Sequence, residues 1–143
     1  MDGMGLGLGD GCTHHLLMSD FKNLKVWQKA QTLALDTHRV ACKIRGASQS
    51  GMRTQMINAA MSVPTNIVES RGQRTAREAC RYLRMSLNSA TELEYHLLTA
   101  ADLKAISRPQ CLTLTSQLVE VRKMLYGLIR ALSNRGDNPS DPQ

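Results

Sequence analysis

Two long helical patterns separated by a short turn constrain this chain more than any other feature. They lie within residues 52–103. In the first, Met56, Ala59, Ala60, Val63 and Ile67 recur at the three- and four-residue steps that place side chains on one helix face. In the second, Ala79, Leu83, Ser86, Ala90, Leu93, Leu97 and Ala100 do the same, and their small members allow a neighbour to approach closely. Such faces must be covered by other helices. Arg71, Arg74, Arg77, Arg81 and Arg84 recur every three or four residues across the junction. No set of acid, base and nucleophile accompanies them. The chain reads as a binding or assembly module rather than an enzyme.

The flanking sequence supplies the missing partners. A first helix is expected over residues 23–45, with Trp27, Ala30, Ala34, Thr37, Ala41 and Ile44 on one face beside Val26, Leu33 and Val40. Gly46 is its natural stop, and Ser48 or Ser50 is placed to cap the next helix. That second helix, over residues 51–70, contains Pro64, which predicts a bend at residues 60–63. Thr75-Ala-Arg-Glu78 is a capping box opening a third helix that runs to about residue 104. Ser107-Arg-Pro-Gln110 is another, with proline in the first turn. It opens a fourth helix with an unbroken seam of Cys111, Leu114, Leu118, Val121, Leu125, Leu128 and Leu132. Aromatics are only 3%, so the core must be aliphatic. The pattern predicts an all-α, antiparallel up-down four-helix bundle over residues 20–133.

The ends read differently. Residues 1–19 form a Gly-rich leader expected to be disordered, and residues 134–143 a polar tail of the same kind. The leader lacks the positive start and apolar stretch of a secretory signal. Met18 opens a stretch that also reads as a natural start. Cys12, His14 and His15 are better explained as part of a floppy tail than as metal ligands. The four cysteines form no CxxC pair, which suits a reducing cytoplasm. No apolar run reaches the length of a membrane span.

A net charge of +6 favours polyanionic partners. Arg77, Arg81 and Arg84 fall within about 60° of arc on the third helix. Glu78 is the only acid among residues 70–91, and the capping box would engage it. Guanidinium groups bind phosphate bidentately and stay charged, so residues 71–84 form a candidate phosphate-tracking surface. A solvated face, or arginines paired with acids of a neighbouring helix, would explain the same spacing. Tyr82 is the sole aromatic near the patch, which argues against extensive base stacking.

On the fourth helix Leu112, Val119 and Tyr126 form a second stripe beside the seam, interrupted by Arg122. The apolar arc then spans roughly 200°, wider than one core-facing side needs, and points to a homo-oligomer. Asn66, Glu69 and Glu92 are read as structural polar residues. Glu92 with His96 lacks further ligands, so no metal or other cofactor is expected.

FKNLKVWQKA, QMINAAMSVPTNIVES and RGQRTAREACRYLRMSLNSATELEYHL together resemble the four-helix bundle protein family encoded in intervening sequences of large-subunit ribosomal RNA genes. The resemblance covers residues 20–132. Val26-Trp27-Gln28 and the run from Val63 to Glu69 are its most specific parts, supported by Arg74 and Glu92-Leu93-Glu94. It implies a ring-like homopentamer with a basic surface and no catalytic activity. It also implies kinship with accessory proteins of reverse transcriptases in diversity-generating retroelements. The chain departs from the pattern at Ile44, Arg45 and Ser48, where an aromatic-Pro pair and a Glu are usual. It departs again at Ile57 and Asn58, where basic residues are common, and at Ser70 and Asn88, where Gly is usual. The combined expectation is a non-enzymatic oligomer that binds RNA or DNA. An accessory subunit of a reverse transcriptase, or a purely structural oligomer, is the alternative.

Overall fold

The computed structural model describes residues 19–136. Its regular structure is helical throughout these residues: α1 (Lys25–Cys42), α2 (Ser50–Arg71), α3 (Ala76–Asp102) and α4 (Arg108–Gly136). Short 3-10 turns precede α1 (Ser19–Asn23) and α2 (Ala47–Gln49). The expectations for the leader, including Cys12, His14 and His15, lie outside the described residues, as does the tail beyond residue 136.

Helix α1 buries Val26, Ala30, Leu33, Ala34, Thr37 and Ala41, and Phe21 meets Trp27 edge-on at 5.0 Å between ring centroids. The chain then turns at Gly46, whose φ of 103° favours glycine. Neither Ser48 nor Ser50 caps α2. Gln49 stands at the cap position, no side chain bonds there, and Ser50 is already helical. The loop is tied instead by the Arg53 guanidinium, which donates to the carbonyls of Ile44 at 2.8 Å and Gly46 at 3.1 Å.

Helix α2 continues through Pro64. Proline leaves the Ala60 carbonyl without its usual donor. Side chains crowd the same stretch: Ser62, Thr65 and Asn66 donate back to the carbonyls of Asn58, Met61 and Ser62. The buried Ser86 hydroxyl on α3 donates across to the Val63 carbonyl at 2.8 Å. That bond fixes the height of α3 against α2.

The Thr75 hydroxyl accepts from the Glu78 amide at 3.1 Å, so the first half of the α3 capping box is present. The second half is not: the Glu78 carboxylate lies 3.6 Å from Arg81 Nε. The α4 box is complete, with Gln110 N–H to the Ser107 hydroxyl at 3.2 Å and Ser107 N–H to Gln110 Oε1 at 2.9 Å. Helix α4 runs three residues beyond the expected end at Ser133. Gly136 reaches the first turn of α3, where a methyl placed on it would lie 3.7 Å from the Ala76 Cβ.

Each helix packs on the next, and α4 returns onto α1. Cys111 Sγ at the start of α4 donates to the Leu97 carbonyl near the end of α3, and Cys80 Sγ at the start of α3 to the Ile129 carbonyl near the end of α4. Leu33, Met56, Ile67, Leu83, Leu93, Leu97, Leu118 and Leu125 are fully buried between the helices. Burying each contributes about 1.5–3 kcal/mol, which makes this aliphatic core the main support of the fold. Small residues such as Ala30, Ala34, Ala60, Ala90 and Ala100 have no exposed surface, so the backbones approach closely there. The α1–α4 seam is more polar: Gln117 donates to Asp36 at 3.1 Å, and Lys29 lies 3.3 Å from Glu120. Thr37 Oγ1 on α1 and Gln117 Oε1 on α4 are buried without a partner among the described residues.

Candidate nucleic-acid interface

The turn of residues 72–75 joins α2 to α3 at the end of the bundle where α4 finishes. Thr75 fixes where α3 starts, and this sets the phase of the arginines that follow. Arg71, Arg74, Arg77, Arg81 and Arg84 are all exposed. Arg81 is partly engaged: it lies near Glu78, and its guanidinium carbon sits 5.3 Å from the Tyr82 ring centroid. Arg74, Arg77 and Arg84 make no hydrogen bond or ion pair among the described residues.

The structure adds a residue assigned to the tail by sequence. Arg135, on the last turn of α4, lines a cleft of about 320 Å³ together with Arg71 and Arg74. A second cleft of similar size has Arg77 and Arg84 on its wall. Ala76 and Leu132 border both clefts. Residues 121–136 carry Arg122, Lys123, Arg130 and Arg135 and no acid. Two acid-poor segments therefore meet at one end of the bundle. The positive ends of five arginine side chains plus Arg135 share that end with Glu78 as the one carboxylate in residues 70–91.

A sequence model of the 23S rRNA-intervening sequence protein family matches residues 22–127 of this chain. The chain belongs to that family. Among solved structures, it is similar to a protein of unknown function from the S23 ribosomal protein family of Bacteroides thetaiotaomicron. The TM-score is 0.69 at 22% identity, covering 73% of this chain and 98% of the other. This likeness supports the helical fold. No curated protein matches the chain.

In this member of the 23S rRNA-intervening sequence family the stripe on α4 faces outward. Leu112 is 70%, Val119 37% and Tyr126 54% exposed, while Cys111, Leu114, Leu118, Val121, Leu125 and Ile129 fill the core. Arg122, which interrupts the stripe, is bound to Glu94 on α3. Leu98 on α3 is also half exposed.

The expected structural polar residues are more local than the sequence suggested. Asn66 bonds only within α2, Glu69 is exposed, and Glu92 is an exposed carboxylate 3.4 Å from His96. Side chains that do link helices are Ser86, Gln117, Arg122 and Lys29, together with Cys80 and Cys111. Among the described residues no group of three or more His, Cys, Asp and Glu side chains could hold a metal. No described helix is long and apolar enough to cross a membrane. Cys80 and Cys111 are buried, whereas Cys42 is exposed with its sulfur 3.6 Å from His38 Nδ1.

Proposed function

We propose that this protein is a non-enzymatic, antiparallel up-down bundle that binds RNA or DNA as a homo-oligomer. The binding surface is the basic end built from Arg71, Arg74, Arg77, Arg81 and Arg84, completed by Arg135. The observation that carries this reading is the concentration of arginine at one end of the bundle, six guanidinium groups against Glu78 as the one carboxylate of residues 70–91. Elsewhere Lys29 is matched with Glu120, Arg39 with Asp36 and Arg122 with Glu94, while Lys25, Lys43 and Lys123 stand singly on the surface among the described residues. At this end Arg74, Arg77 and Arg84 are exposed and unmatched among the described residues. Phosphate supplies the missing anion, and guanidinium is the side chain best shaped for it.

The exposed stripe of Leu112, Val119 and Tyr126 supplies the contact between subunits. A closed ring uses heterologous contacts, and the family resemblance suggests five copies. Such a ring would bring several basic ends to one strand and strengthen binding by avidity. Free cysteines, two of them buried, suit a reducing cytoplasm.

Binding of the full chain to labelled RNA and DNA tests the proposal. Binding is expected at low salt, with little sequence preference, and log affinity should fall linearly with log salt. Absence of binding to either nucleic acid at low salt overturns it and gives the lead to a protein partner, a reverse transcriptase among them.

A further inference from the structure

We infer that the cleft between the α2–α3 turn and the last turn of α4 binds the terminal phosphomonoester of a nucleic-acid strand. The inference rests on the nucleic-acid reading above and specifies which part of the strand this cleft takes.

The cleft measures about 320 Å³, at the lower end of the range of small-molecule sites and suited to a single nucleotide. Its chemistry is divided. Ala79, Leu128 and Leu132 give an apolar wall for a base or sugar. Arg74 enters from the turn and Arg135 from α4, so two separate elements converge on one space. Neither makes a hydrogen bond or ion pair among the described residues.

The neutral polar groups at the cleft are already committed to the protein. Gln73 Nε2 donates to the Glu69 carbonyl at 3.0 Å, the Ser70 hydroxyl to the Ile67 carbonyl at 2.6 Å, and Thr75 Oγ1 accepts from Glu78. No described carboxylate lines the space. What remains for a ligand is guanidinium. Arg71, which also lines the cleft, is already engaged, and Arg74 and Arg135 carry two further positive charges. A phosphodiester neutralises one, whereas a phosphomonoester carries about −1.5 to −2 near pH 7 and matches both.

The test compares oligonucleotides of one sequence, as RNA and as DNA, ending in a 5′-phosphate, a 3′-phosphate or hydroxyls at both ends. One phosphorylated form should bind the full chain about tenfold more tightly than the hydroxyl form. That preference should vanish in Arg74→Ala/Arg135→Ala, with melting temperature checked to confirm folding. Arg81→Ala should weaken both forms while preserving their ratio. Equal binding of all three ends to the wild type overturns the end pocket and leaves the nucleic-acid proposal standing. A preference that survives the double substitution also overturns this assignment. A free nucleoside monophosphate provides the opposite arm. If it binds in an Arg74- and Arg135-dependent manner while no oligonucleotide binds, the pocket stands as a free-nucleotide site. The strand-end inference and the nucleic-acid proposal are then both overturned.

Discussion

Where α3 ends and α4 begins, Asp102, Lys104, Ser107, Arg108 and Gln110 border a cleft of about 410 Å³. Where α3 begins and α4 ends, two clefts of about 320 Å³ each are lined by arginines. By volume alone the first end would be the better site. Its polar groups, however, serve the chain itself. Ser107 and Gln110 satisfy each other's backbone amides, and the amides of Lys104 and Ala105 return to carbonyls of α3. Its charges are mixed, with Asp102 beside Lys104 and Arg108. The other end gathers Arg71, Arg74, Arg77, Arg81, Arg84 and Arg135 around Glu78, the one carboxylate of residues 70–91. Excess positive charge distinguishes the two ends more sharply than concavity does.

Charge-matched substitutions can break that comparison. Arg77→Glu with Arg84→Glu, and Lys104→Glu with Arg108→Glu, each lower the net charge by four, from +6 to +2. The first pair should weaken nucleic-acid binding by about 100-fold at low salt, and the second by less than about threefold. Fluorescence anisotropy with labelled RNA reads both. Equal losses would mean that net charge governs binding and that the basic end has no special role.

The region between the two ends holds the exposed stripe, and it should affect assembly rather than binding chemistry. Sedimentation equilibrium at micromolar concentration is expected to give a mass several times 15.8 kDa. Leu112→Asp with Val119→Asp should reduce it to the monomer and leave the helical circular dichroism unchanged, because both positions lie outside the core. A wild-type monomer would remove the stripe as a subunit contact. The dissociated variant should retain the ratio between the two charge-matched pairs while losing avidity.

Much of this architecture was legible because helical periodicity and caps are local properties of sequence. The inner face of α3 was read residue by residue, and Thr75 and Ser107 marked both starts where they occur. Interactions across space were harder to read. Nothing in the spacing showed that Glu78 would turn toward Arg81, or that Ser86 would cross to Val63. Cys42 ended up exposed although it lies in a helical pattern, because it sits off the buried face that its neighbour Ala41 occupies. Arg135 was missed because Asn134, Arg135 and Gly136 are polar or helix-breaking by composition. One signal did exist. Gly136 is the next four-residue step after Leu132 along the seam, and a residue without a side chain suits its close approach to Ala76.

The smallest predicted effect separates the two ends through their turns. Helix α3 closes with the amide of Ala105 on the Ala100 carbonyl at 2.8 Å and that of Lys104 on Ala101 at 3.0 Å. This is the Schellman pattern, which places its penultimate residue in the left-handed region. Lys104 occupies that position with φ of 59°, a conformation that costs a residue with a Cβ about 1–2 kcal/mol. Lys104→Gly relieves this cost and gives back part of it through greater freedom of the unfolded chain. The net gain should be about 0.5–1 kcal/mol, seen as a rise of a few degrees in melting temperature. At the other end Gly72 has an ordinary φ of −84°, and a methyl there would meet only the Glu69 carbonyl at 3.6 Å. Gly72→Ala should therefore also stabilise, by about 0.4–1 kcal/mol, for the opposite reason: it restricts the unfolded chain without straining the folded one. Neither change should move RNA affinity by more than about twofold, since Lys104 lies at the far end and Gly72 offers no side chain to the ligand. A fall in stability on Lys104→Gly would show that the lysine side chain, rather than its backbone, holds that turn.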